Sequence, residues 1–167
     1  MKKTLYRISR GFTILPVYLA FNISNVCNRS CDFCPFHSKH IKGDIQFNWF
    51  AGQQPFIDYK AFKRFINRLK LFRFMVKHIA ITGKGETLLH PNFLDIIVDV
   101  DRLNIPFSVT TNGDFIEKVD IVELLGKFPR LILRVSIYDA DSLKKWYKFK
   151  DIGRIKLYNQ TKEPIDV

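Results

Sequence analysis

Five short apolar runs alternate with helical patterns along this chain, and each run leads into a polar or glycine-bearing turn. The runs at 17–23, 78–82, 106–110 and 131–137 read as strands, with a fifth at 155–158. Between the first two, Asp58 stands where a helix N-cap belongs, and Phe62, Phe65, Ile66, Leu69 and Phe72 recur behind it at helical spacing. Pro91 and Asn92 open a second helix that runs through Leu103, a third spans about 115–125, and a fourth lies near 141–150. Residues 35–57 read as a long polar and aromatic connection. Strand–loop–helix repetition requires parallel strands joined by right-handed crossovers. A closed barrel of eight such units takes roughly 250 residues. The 167 residues here hold four or five units, so closure is out of reach. The expected fold is α/β: a partial (β/α) barrel of four to five parallel strands, open on one side, forming a single domain over 1–167.

With 47% hydrophobic residues and sixteen phenylalanines the chain can bury a core, which excludes bulk disorder. Its formal charge of +11 favours an anionic partner: a phosphorylated metabolite, a nucleic acid or an acidic protein. Charge alone does not choose among these. Met1-Lys2-Lys3 and the apolar stretch at 12–21 imitate a signal peptide. That stretch contains Pro16, lacks a small-x-small cleavage site and leads directly towards the cysteines, so it reads instead as part of the fold. No segment approaches the length of a membrane span, and the expected compartment is cytoplasmic.

All three cysteines of the chain, Cys27, Cys31 and Cys34, fall within eight residues on the loop after the first run. An odd, tight cluster is not a disulfide framework; it reads as a metal site in a reducing compartment. A cubane iron–sulfur cluster has four irons, so three cysteines leave one iron open to a substrate or cofactor. His37 and His40, just past the cysteines, raise a competing zinc site of three thiolates and one imidazole. Zinc would make the chain a structural or nucleic-acid-binding module, and it leaves the downstream glycine turns unexplained.

Those turns follow the later strands in order: Gly83-Lys84-Gly85-Glu86 after the second run and Thr111-Asn112-Gly113 after the third, with Arg134-Val135-Ser136 on the fourth. Together with the cysteine loop, this ordered set resembles the radical S-adenosylmethionine (radical SAM) enzymes over roughly residues 17–140. The resemblance implies a 4Fe–4S cluster on Cys27, Cys31 and Cys34, with S-adenosylmethionine chelated to the open iron. It implies reductive cleavage of that cofactor to a 5′-deoxyadenosyl radical, which abstracts hydrogen from a metabolite or peptide. Electrons would come from a flavodoxin- or ferredoxin-like protein. By the same resemblance Phe33 lies near the adenine, and the segment Gly83, Lys84, Gly85 and Glu86 contacts the methionyl amino group, its glycines letting backbone approach the ligand. Asn112 contacts the methionyl or ribose end, Ser136 reaches the cofactor, and Arg134, with the same facing, meets the carboxylate. Each residue also has a structural reading: core packing for Phe33, a turn for the glycines and Asn112, a cap for Glu86, and strand positions for Arg134 and Ser136.

The chain departs from the family pattern in several places. Lys84 replaces a commoner small residue, Thr87 stands where proline is frequent, and no glycine- and acid-bearing motif follows the fifth run. The family core usually has six strands. A partner chain that completes the barrel, or a substrate that covers the open side, is therefore expected. Short activases of glycyl radical enzymes share the compact three-cysteine plan. The stretch from Gly83 to Pro91 is closer to the metabolite- and peptide-modifying branch, and no cysteine remains for an auxiliary cluster. An inactive radical SAM-like copy is the further alternative.

Overall fold

The structure is a computed structural model that describes residues 7–8, 12–13, 18–40, 54–115 and 120–160. Its centre is a five-stranded parallel sheet: β3 (Tyr18–Asn22), β4 (His78–Thr82), β5 (Phe107–Thr111), β6 (Leu131–Ile137) and β7 (Ile155–Asn159). Strand order equals chain order. Every crossover thus steps the same way, as in a barrel, and not outwards from a switch point as in a doubly wound sheet. The sheet does not close on itself, which bears out the partial barrel. Ahead of it, β1 (Arg7–Ile8) and β2 (Phe12–Thr13) pair antiparallel, a hairpin the sequence reading did not contain.

The strands at 78–82 and 131–137 lie where the apolar pattern puts them. The third parallel strand starts one residue later than expected, at Phe107, because Pro106 has no N–H to give the ladder. Its carbonyl still accepts from Ile79 N at 3.1 Å. Aspartates begin three of the helices. Asp58 caps α1 (Tyr59–Leu69) by accepting from Ala61 N at 2.6 Å, and Asp139 caps α4 (Ala140–Tyr147) through Ser142 N at 2.6 Å. Asp120 caps α3 (Ile121–Lys127) through Glu123 N at 2.9 Å. That cap sets the start of α3 later than the expected 115, and residues 116–119 lie outside the described part. The second helix, α2 (Phe93–Asp101), stops short of Leu103 because Asn104 turns into the left-handed region at φ 59°.

Burial separates the two faces of the sheet. Along β6, Leu131, Leu133, Val135 and Ile137 are buried on the helix-covered face, and Ile132, Arg134 and Ser136 alternate on the other. Ile79, Ile81, Ile96, Ile97, Val100, Phe107 and Val109 are all fully buried in the same core. Each such side chain contributes about 1.5–3 kcal/mol through removal from water. The apolar core therefore lies between sheet and helices, and the concave face is left polar. No described helix is long and apolar enough to cross a membrane.

Candidate active site

The loops after all five parallel strands meet around one cavity of about 340 Å³ at the C-terminal ends of the strands. Cys27, Cys31 and Cys34 line it, as do the 83–86 turn, Thr110 to Asn112, Ser136 and Tyr138, and Gln160 just past β7. The cysteine loop has no regular secondary structure, so other segments must hold it. Ser24 bridges to Phe56, and Asn25 bonds the 54–55 backbone through its N–H and its side-chain amide, each at 2.8 Å. On the other side Gly85 N donates to Ser24 O at 2.9 Å and Glu86 N to Val26 O at 2.7 Å.

This grip explains the glycines. A Cβ on Gly85 would meet Val26 N at 2.7 Å and the Val26 carbonyl closer still. A Cβ on Gly83 would meet Ser24 O at 2.8 Å. Both glycines line the cavity, and their missing side chains also permit a close approach to the chain's own backbone. Glu86 is the second clasp. It is buried, and its carboxylate accepts from Thr111 Oγ1 at 2.6 Å, Asn112 N at 2.7 Å and Leu88 N at 3.0 Å. Burial pushes its pKa up despite these three donors. Glu86 thereby ties the loop after β4 to the loop after β5.

Sequence reasoning missed the third clasp. Arg29, inside the cysteine loop, forks onto Asp114 with Nε–Oδ2 at 2.8 Å and Nη2–Oδ1 at 2.5 Å. Asn28 Nδ2 donates to Asp114 Oδ2 at 2.6 Å, and Asn112 Nδ2 donates to Asn28 Oδ1 at 2.8 Å. The hydrogen bonds from Arg29 hold the Asp114 carboxyl below the usual carboxylate range, and those to Asp114 hold the Arg29 guanidinium well above its own. The guanidinium also lies 4.7 Å from the centre of the Tyr138 ring, which stacks on Phe33 at 5.9 Å and 13°. Phe33 is 57% exposed, so its free face remains open. The one sequence signal for this network is the Asp that follows Thr111-Asn112-Gly113, and it carries no pointer to a residue 85 positions earlier.

The thiols are half-buried and unpaired with one another. Burial pushes Cys27 and Cys31 up; the Arg29 N–H on Cys27 and the Arg29 charge near Cys31 work against it. Phe36 N and His37 N point at Cys34 Sγ at 3.4 and 3.3 Å, and Arg29 N at Cys27 Sγ at 3.4 Å. Amide N–H groups aimed at cysteine sulfur are the surroundings an anionic iron–sulfur cluster needs, so the donor set fits one. Among the described residues no three of His, Cys, Asp and Glu, the three thiols included, gather around a single ion; the two histidines of the zinc alternative make other contacts. His40 pairs with Asp32 at 3.3 Å, and His37 bonds the Asn25 backbone.

Of the residues assigned from sequence to the cluster or to S-adenosylmethionine, Arg134 alone does not line the cavity. It shares a face with Ser136 but stands two residues earlier on β6, about 6–7 Å back from the rim at the rise of a strand. Lys84 lines the cavity and lies 5.6 Å from the Phe36 ring.

The sequence profile of the Radical SAM superfamily matches residues 21–165. The chain belongs to that superfamily. It is 27% identical over 139 residues to the tungsten-containing aldehyde ferredoxin oxidoreductase cofactor-modifying protein of Pyrococcus furiosus, covering 83% of this chain. This radical SAM chain spans about a third, 34%, of that relative's length. Among solved structures it is similar to Streptococcus suis SuiB bound to the precursor peptide SuiA, with a TM-score of 0.65 at 20% identity, over 90% of this chain and 34% of SuiB. It is also similar to BtrN in complex with AdoMet and 2-DOIA, with a TM-score of 0.62 at 18% identity, over 87% of this chain and 57% of BtrN. At those identities the likeness establishes the fold.

Proposed function

We propose that this radical SAM chain is an enzyme that holds a 4Fe–4S cluster on Cys27, Cys31 and Cys34, with S-adenosylmethionine in the adjoining cavity. The observation that carries the reading is the meeting of all three thiols and the 83–86 turn around one cavity at the C-terminal ends of the strands. When bound, the two cofactors supply one-electron reductive chemistry that ends in hydrogen abstraction from the substrate. The protein's part is to bind, orient and exclude water. The clasps from Gly85, Glu86 and Asp114 fix the cysteine loop against its neighbours before anything binds. Phe33, backed by Tyr138, offers an aromatic face to the adenine. Asn112, Ser136 and Lys84 supply polar groups from three different strand ends. Residues 1–167 act as one domain with the motif-bearing core at 17–140, in the cytoplasm, with electrons from a flavodoxin- or ferredoxin-like protein. The open side of the sheet is covered by the substrate or by a further chain. The substrate is a metabolite or a peptide; the peptide class is supported by SuiB, whose structure holds a precursor peptide.

Anaerobic reconstitution tests this. Wild type should take up about four irons and four sulfides per chain, and Cys31→Ala should not. With a low-potential reductant, wild type should form 5′-deoxyadenosine from S-adenosylmethionine above the level of Cys31→Ala. Stoichiometric zinc without sulfide in protein isolated without oxygen overturns the reading. So does a full cluster that yields no more nucleoside than the variant.

A further inference from the structure

The concave face of the sheet carries charge that the loops around the cavity do not use. Arg134 on β6 stands in register between Thr110 on β5 and Lys156 on β7. Register partners in a parallel sheet project to the same face, so the two cations are neighbours. His78 lies further down this face, its Nε2 2.9 Å from Ser108 Oγ. Burial and the Arg134 charge both hold His78 below its usual pKa, which leaves the fixed positive charge on Arg134 and Lys156. None of the five parallel strands contains Asp or Glu. Among the described residues neither cation makes an ion pair. Arg134 Nε is buried with no hydrogen-bond partner among those residues. A desolvated guanidinium N–H without an acceptor is a cost that an anionic oxygen would remove. Thr110 and Ser136, which flank Arg134 on the same face, both line the cavity.

We propose that Arg134 and Lys156 bind an anionic oxygen group of the substrate, a carboxylate or a phosphate, beside the cavity; this rests on the reading of that cavity as a radical SAM site. Arg134 is thereby a substrate residue on the concave face, not a ligand of the cofactor carboxylate. The pair sets specificity: a substrate lacking the anion leaves a buried N–H unpaired.

The test is calorimetric titration of the 167-residue chain with two probes, inorganic pyrophosphate and succinate, at low salt. Wild type should bind at least one. The double variant Arg134→Gln/Lys156→Gln should lose at least tenfold in affinity. Lys60→Gln/Arg64→Gln removes the same charge from the exposed side of α1 and should stay within twofold. Preference for pyrophosphate assigns a phosphate, and preference for succinate a carboxylate. Because Arg134 is half-buried, the exposed Lys156→Gln alone is measured too, with at least a threefold loss expected. No binding to wild type, equal losses in the two doubles, or an unaltered Lys156→Gln overturns the proposal. The probes need neither cluster nor reductant. Anion binding without nucleoside formation therefore sinks the enzyme reading, and nucleoside formation without anion binding sinks this one.

Discussion

Gly85→Ala should be among the most damaging single-methyl changes in this protein. The added Cβ would stand 2.7 Å from Val26 N and nearer to the Val26 carbonyl, and all of these are backbone atoms that cannot rotate away. Comfortable contact needs about 3.5–4.0 Å, so the two segments must part by on the order of 1 Å. That separation breaks the bonds Gly85 N–Ser24 O and Glu86 N–Val26 O, now 2.9 and 2.7 Å. Two lost hydrogen bonds cost about 1 kcal/mol each, and the overpacking a further 1–3 kcal/mol. The expected destabilisation is therefore about 3–5 kcal/mol, a large fraction of the roughly 5–15 kcal/mol that holds a domain folded. Urea unfolding followed by far-ultraviolet circular dichroism reads it as a shift in midpoint at constant slope. Gly126→Ala is the control. A Cβ there meets nothing within 4 Å, and the residue sits inside α3, so it should stabilise by about 0.5–1 kcal/mol. A Gly85→Ala protein within about 0.5 kcal/mol of wild type would refute the claim that this glycine exists for the Val26 contact.

Arg29→Ala, Asp114→Ala and their double should show a coupling of about 1–2 kcal/mol in unfolding, because the fork is bidentate and both side chains are largely covered, at 23% and 29% exposure; additive effects would remove this clasp from the account. Asp114 has a depressed folded pKa, so its contribution is present above the unfolded value and lost as pH falls through the folded one. Asp114→Asn should therefore flatten the acid limb of the stability profile, and an unchanged limb counts against it. Glu86 runs the other way: its folded pKa lies above the usual 4.5, so the native state holds the proton longer and stability declines as pH rises from there through the folded pKa. The stability of wild type relative to Glu86→Gln should decrease across that window, and a difference that stays constant or grows contradicts the assignment.

Much of the scaffold was legible along the chain because it depends on short-range physics. Branched and aromatic residues in runs of five to seven made β4 and β6 readable to the residue, and Asp58 marked the start of α1. Five strand units could be counted along these 167 residues. The thiol triplet, sitting directly after a strand, pointed to metal chemistry before any fold was known. The apolar pattern suggested a helix from about 115, and the described helix begins at Ile121, behind the Asp120 cap.

What only the tertiary structure decided is how the loops touch. Arg29 finds Asp114 across 85 residues, Glu86 finds Thr111 across 25, and Gly85 packs on Val26. Arg134 and Ser136 look equivalent in sequence, yet strand length and register leave one at the rim of the cavity and the other in a row with Lys156. A strand's own residues set which face each side chain takes, because that alternation is local. How far each parallel strand slides past the next is set by the packing of the helices between them, and that depends on residues far apart in the chain.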